Sequence, residues 1–468
     1  MVPFFPKQIA TRAIITYLIA LFVVSFLYIE YAISLGFMAL GLTCVIGFFG
    51  LTAYWTREWG RLTNKQFAEQ LFLIAILFRL IWVVASYFYY NQVTGSPFEY
   101  QARDSIGYHT EAEWLASENW SVTWEYYFGP LYHGVSDVGY PLYLTFLYKI
   151  IGPQVFITRV IKAFLGAITC ILIYRLSVRS FGEEVGRMAG IMAALMPNLI
   201  FYCGYHLKET EMLFLEVAFL DRLDYLIRSK RISFWSILLP SLLAASLFFF
   251  RTVLGAAAVF AFATSALVSS APTMKKGWRR TAIIAWGILS MVVVSGGTIM
   301  NEVEGYWEDR NENIIKKRNE QTMRGNQWAQ YATGTVMAPL MLALPFSTMV
   351  DVDQQYSQQE KHGGNFCRTF MSFFAIFAIV SAFVKKRWRS FALIGAFVIA
   401  YLGVVSLSGF SNSERFLLPG LPCLIMMWAY GISELNAKVY KLMNPWCVIV
   451  FLIEIAWAYF KLGSRGLF

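Results

Sequence analysis

Five ionisable residues could form a site: four at the edges of apolar runs, where a charge marks a partner or a pathway, and one in a long polar loop. They are Asp104, Lys208, Glu209, Arg251 and Arg415. Lys208 and Glu209 open one run, Arg251 ends another, and Arg415 precedes a third. A charge at a membrane boundary is costly and marks a partner or a pathway; snorkelling to the headgroups is its other use. The chemistry these types support is specific. Guanidinium forks match phosphate oxygens, and a carboxylate at the rim of a water-facing cavity can take a proton as general base. Asp104 lies in the polar stretch Ala102-Arg-Asp-Ser-Ile-Gly-Tyr-His-Thr-Glu-Ala-Glu-Trp114. If the part from Ser105 onward is helical, Asp104 is its N-cap, with Tyr108 and His109 within about one turn. A capping aspartate needs no chemistry, so the cap and the base stay open as readings.

The elements that must position these residues follow from composition. Of 468 residues, 57% are apolar and 15% charged, against ~45–50% and ~25% in soluble domains. A soluble enzyme is excluded. At ~20 residues per span, about 267 apolar residues would furnish about 13 helices, so the expected fold is all-α and polytopic. Apolar runs fall at about 10–29, 32–54, 68–90, 154–176, 184–203, 209–227, 233–250, 253–270, 281–300, 368–384, 390–408, 416–434 and 445–461. Two more, about 138–151 and 337–349, are short and marked by Pro or Gly. The first run leads straight into the second, which reads as an uncleaved anchor. The six cysteines are scattered with no CxxC, so neither a disulfide framework nor a zinc site is expected.

The net charge of +10 would raise nucleic-acid binding in a soluble chain. Here it fits the Lys/Arg surplus of cytoplasmic loops, and no nucleic-acid partner is expected. Six basic clusters share one face if 138–151 and 337–349 do not cross: around Arg57, Arg179, Arg228, Lys275, Lys385 and Lys438. The outer segments are then 91–153, 204–208, 301–367 and 409–415, with all four histidines (His109, His133, His206, His362) among them. Histidine avoids lipid, so that clustering alone implies no function. The first long loop, rich in Trp and Tyr, reads as short helices on the outer surface, with 139–148 interfacial. Asp351-Val-Asp353 has a spacing that could bind a divalent ion, although chance pairs of this kind are common. No cofactor is expected.

Several motifs, in order, resemble the glycosyltransferase C superfamily, particularly its lipid-phosphate-sugar branch with protein O-mannosyltransferases and aminoarabinose lipid A transferases. They are Asp104-x-x-x-Tyr108 in the first outer loop, Gly139-Tyr-Pro-Leu-Tyr143, a helix ending Tyr174-Arg-Leu-Ser-Val-Arg-Ser-Phe-Gly182, Ala189-Gly-Ile-Met-Ala-Ala-Leu-Met-Pro197, Lys208-Glu209, Arg251-Thr252, and Arg415-Phe-Leu-Leu-Pro-Gly-Leu-Pro422. The similarity covers about 90–435. The chain departs from the pattern in its two leading helices, in a lone Asp104 where the family has an acidic pair, and in the absence of a large soluble C-terminal domain.

The resemblance implies three parts: residues 1–66 as two extra helices, 67–435 as a family-like membrane domain, and 436–468 as a final span. It implies inverting sugar transfer from a polyprenyl-phosphate donor to a glycan, lipid or protein hydroxyl, outside a bacterial inner membrane. Asp104 would be the base, and Lys208, Arg251 and Arg415 the phosphate clamp. Tyr108 and His109 would orient Asp104 or touch sugar; Glu209 would hold Lys208 or a sugar hydroxyl. A polysaccharide polymerase or O-antigen ligase with a pyrophosphate-linked donor is one alternative. A lipid-linked sugar transporter or flippase is the other, to which the polar residues Arg79, Glu216, Asp221 and Glu454 inside apolar runs are relevant.

Overall fold

A computed structural model describes residues 4–129, 136–229, 233–268, 281, 285, 340–352, 355–406, 413–464, 466 and 467. Among them the protein is all-α: the one bridge of β type joins Ala32 to Val350. Two long helices come first, α1 (Lys7–Leu27) and α2 (Leu35–Arg61), followed by α3 (Asn64–Thr94). A capping box between Thr63 and Gln66 starts α3, and Gly95 ends it at φ 72°, in the left-handed region that glycine enters without a Cβ clash.

The first long loop folds as three short helices, α4 (Arg103–Ser117), α5 (Trp120–Phe128) and α6 (Gly139–Ile151). With 13 residues, α6 is ~20 Å long at 1.5 Å per residue, too short for a ~30 Å hydrocarbon core. Then come α7 (Val155–Phe181), α8 (Glu183–Leu195), α9 (Pro197–Phe201), α10 (Glu209–Arg228), α11 (Phe234–Phe250) and α12 (Thr252–Val268). The C-terminal part holds α13 (Tyr356–Glu360), α14 (His362–Val384), α15 (Trp388–Ser406), α16 (Glu414–Ser433), α17 (Ala437–Lys441) and α18 (Met443–Gly463).

Eight described helices are long and apolar enough to cross a membrane: α1, α2, α3, α7, α14, α15, α16 and α18. The protein is therefore an integral, multi-pass membrane protein, but the count differs from the expected 13. The run at 184–203 breaks at Pro197, which removes a backbone donor and bars its predecessor from the helix, leaving α8 with 13 residues. Five acidic residues disqualify α10, and α11 and α12 have 17 residues each. The run at 281–300 lies almost wholly outside the described residues.

Polar groups inside the bundle are mostly structural. Arg79, buried in α3, donates to the carbonyls of Ala75, Ala193 and Ala194 and to Cys170 Sγ. Two of those carbonyls belong to the last turn of α8, where a helix leaves acceptors unpaired. Arg179 holds Asp221 and Asp224 at 2.7 Å each, and Glu454 accepts from Ser347. Glu216 is fully buried, with no hydrogen-bond partner for either oxygen among the described residues.

Candidate active site

Four separated segments bring the candidate residues together. Helix α4 starts at Arg103, two residues earlier than expected, so Ala102 is the N-cap and Asp104 sits in the first turn. A first-turn carboxylate faces the positive end of the helix dipole, which favours its charge. Its carboxylate reaches outward, and Arg415 Nη1 donates to Asp104 Oδ2 at 2.5 Å. Arg415 Nε donates in turn to Glu209 Oε1 at 2.8 Å. The same Glu209 oxygen lies 4.0 Å from Arg251 Nη2. Arg415 thus bridges two carboxylates, one half-exposed and one fully buried.

Each clamp residue is fixed by its own element. Arg251 occupies the junction between α11 and α12, donates to Tyr401 Oη at 3.2 Å and lies 4.5 Å from the Phe416 ring centre. Tyr401 Oη passes a hydrogen bond to the Phe416 carbonyl, tying α15 to the turn that carries Arg415. Glu414, beside it, pairs with Lys361 at 2.8 Å and accepts from Asn198, while Arg368 donates to the Leu417 carbonyl. Lys208 is the N-cap of α10. It pairs with Asp137 and donates to the Phe250 carbonyl at 2.9 Å. Burial and the nearby Arg251 push its ammonium well below the ordinary lysine range, with Glu209 and Asp104 opposing.

The expectation that Glu209 holds Lys208 is thus corrected. Although adjacent in sequence, Glu209 turns to Arg415 and Lys208 to Asp137. Tyr108, four residues after Asp104 and on the same helix face, packs edge-on against Tyr140 at 5.2 Å. Burial, with the Glu209 carboxylate adding, raises its phenol to about 12. His109 does not join Asp104. Its Nδ1 lies 2.8 Å from Tyr148 Oη, which also meets His206 Nε2 at 3.1 Å, because position five along a helix points to another face. Burial lowers His109 below its ordinary value, against an opposing effect of Glu113.

Sequence reasoning missed Asp137, Tyr401, Lys361 and Glu414. A Ser-Glu-Arg triplet opening an apolar run was a readable signal for Glu414. Asp137 offered none, since its role depends on a left-handed turn at φ 72°. His362 is buried and engaged with Tyr17 Oη at 2.7 Å and the Gln359 carbonyl. His133 and Asp353 lie outside the described residues. Asp351 accepts from Gln359 Nε2, and no three His, Cys, Asp or Glu side chains among the described residues converge as metal ligands would.

An apolar groove of about 430 Å³ adjoins the cluster, walled by Trp120, Trp124, Leu142, Phe146, Phe249 and Phe250. Phe250, one of its walls, is the residue whose carbonyl accepts from Lys208.

No protein-family model matches the chain, and no curated protein is similar to it. Among solved structures it is similar to an oligosaccharyltransferase from Archaeoglobus fulgidus in the apo form, at 11% identity and a TM-score of 0.45. That match covers 86% of this chain and 56% of the other, so this chain spans little more than half of its length.

Proposed function

We propose that the protein is an integral-membrane glycosyltransferase that moves a sugar from a polyprenyl-phosphate donor to an acceptor hydroxyl on the extracytoplasmic face, with inversion. One observation carries the reading: three cations from three segments and a solvent-facing carboxylate meet beside Phe250, which also walls an apolar groove. An apolar groove with cations beside one wall suits an amphiphile with an anionic head. The motif order that resembles the glycosyltransferase C superfamily supports the same reading.

The steps balance. Asp104 takes the proton of the acceptor hydroxyl. The acceptor oxygen forms a bond to the anomeric carbon from the face opposite the leaving group. The carbon–oxygen bond to phosphate breaks, and its electron pair leaves on the lipid phosphate. Fixed guanidinium donors stabilise that developing charge, which is worth most where water is excluded. Arg415 and Arg251 are assigned this role, with Lys208 beside them. Tyr108 lines the sugar side. His109 joins the Tyr148–His206 chain that seats α4. The two leading helices, the membrane domain and the final span are assigned as 1–66, 67–435 and 436–468. The shorter apolar helices α11 and α12 are assigned as further spans.

The test is transfer by purified protein in proteoliposomes, offered polyprenyl-phosphate monosaccharides with a set of glycan, lipid and peptide acceptors. The expected product has inverted anomeric configuration. Transfer only from pyrophosphate-linked oligosaccharides would replace this reading with a polymerase or ligase. Translocation of the lipid-linked sugar without transfer would replace it with a flippase.

A further inference from the structure

A second cavity, of about 400 Å³, is lined by none of the groove's residues and is built chiefly between α2 and α3. Its walls include Ser34, Phe37 and Leu40 at the start of α2 and Trp82 and Tyr89 on α3, and Glu360 reaches it from the end of α13. We infer that this cavity binds a primary ammonium group carried on a membrane amphiphile.

The argument starts from Glu360, which is 2% exposed. Tyr90 Oη donates to its Oε1 at 2.5 Å and Tyr205 Oη to its Oε2 at 2.8 Å. Two neutral donors satisfy one acceptor site on each oxygen but bring no positive charge, and among the described residues Lys361 is the one cation that acts on it through space. No cation lies within ion-pair distance of it among the described residues. Lys361, next in the chain, is committed to Glu414 at 2.8 Å. A buried carboxylate without a counter-charge is costly, and burial lifts this one to about 7. An ammonium group supplies the missing charge, and its N–H donors use the acceptor sites that the tyrosines leave.

The walls favour the same ligand. Phe37, Trp82 and Tyr89 present aromatic rings, whose negative faces attract a cation. A sugar hydroxyl would satisfy the acceptors but not the charge. A phosphate would be repelled. The opening points to an amphiphile: α2 and α3 are two of the helices suited to crossing the membrane, and Gly36, Ala85 and Tyr89 at the cavity are exposed on their outer surfaces. A ligand there enters from the lipid side with its apolar part along the helices. The head of an ethanolamine phospholipid and an amino sugar on a glycolipid share this chemistry.

The test uses the full-length protein in phosphatidylcholine nanodiscs, with retained lipid read by native mass spectrometry and unfolding midpoints measured alongside. Three variants are compared: wild type, Glu360→Gln and Leu40→Trp. The last fills the cavity from a partly exposed position without touching Glu360. Retention of phosphatidylethanolamine over its trimethylated analogue phosphatidylcholine assigns the phospholipid source. Retention of an alkyl 2-amino-2-deoxyglucoside over the plain alkyl glucoside, with no preference for phosphatidylethanolamine, assigns the glycolipid source. In either case both variants lose about tenfold or more in that preference, as expected for a charge-assisted contact. Equal retention of amine and non-amine lipids by wild type, or a preference unchanged in Leu40→Trp, overturns the inference.

Discussion

Replacing Asp104 by Asn separates chemistry from architecture, because the two effects differ so much in size. The Asp104 and Arg415 side chains are 51% and 27% exposed. An ion pair that open to water contributes below ~1 kcal/mol, and Asn keeps an acceptor oxygen where Arg415 Nη1 now lies at 2.5 Å. The buried half of the bridge, Arg415 to Glu209 at 2.8 Å, is untouched. The expected shift of the unfolding midpoint is therefore within about 2 °C. A carboxamide cannot accept the acceptor's proton, and loss of a general base lowers turnover by ~10²–10⁴-fold. That range corresponds to ~2.7–5.4 kcal/mol in the barrier. Donor affinity should hold or rise, since the variant competes less with the donor phosphate for Arg415. The assay is transfer from a polyprenyl-phosphate sugar in proteoliposomes, with donor binding and unfolding followed on the same preparation. Near-wild-type turnover in Asp104→Asn refutes the base assignment. A collapse of the midpoint alongside activity refutes the claim that Asp104 is a surface partner of the bridge.

Glu209→Ala should destabilise by about 3–5 kcal/mol, because Arg415 and Arg251 lose the buried charge between them; a thermal-shift measurement in detergent reads this, and an unchanged midpoint would count against the bridge. Arg79→Met leaves the Ala193 and Ala194 carbonyls without that donor, costing about 1–3 kcal/mol for a lost buried partner. Transfer per folded molecule should be unchanged, whereas a transport path through the membrane would make Arg79 functional and move the rate. Glu360 contributes a pH dependence whose sign is fixed by its raised value. The folded chain holds that proton more tightly than the unfolded one, so the contribution is complete below 4.5 and is lost as pH rises through about 7. Glu360→Gln should flatten the fall of the unfolding midpoint across that interval, and an unchanged slope would remove Glu360 as its source.

What the sequence made legible was decided by length scale. Hydropathy over 20 residues located the helical runs, the charges at their edges located Lys208, Glu209, Arg251 and Arg415, and the polar stretch of the first long loop located Asp104, before any contact was known. Pairing was not legible, because it depends on rotation about helix axes. Glu209 and Lys208 are neighbours in the chain, but one begins the first turn of α10 and the other caps it, so they turn to different partners. His109 does not reach Asp104 for the same reason: one residue past Tyr108 is a 100° rotation, enough to carry it to Tyr148. Among the described residues, fewer runs form spanning helices than the 13 expected where one proline or a few acidic residues override average apolarity, as at Pro197 and along α10.

The charge balance of the cluster constrains how such a site would work. Lys208, Arg251 and Arg415 face Asp104, Asp137 and Glu209, three cations against three carboxylates. An anionic donor therefore cannot rely on a standing positive field; it must displace a carboxylate from a cation. Only two of the three are placed to yield. Asp104 and Asp137 are about half exposed, and water can solvate them once released, whereas Glu209 is fully buried and has nowhere to go. Phosphate exchange at Arg415 would then set Asp104 free in the same step that seats the donor. While Arg415 Nη1 occupies Asp104 Oδ2, that oxygen is not free to meet an acceptor hydroxyl, and release uncovers it. Donor binding and activation of the base would be one event, which keeps Asp104 neutralised until there is a sugar to transfer.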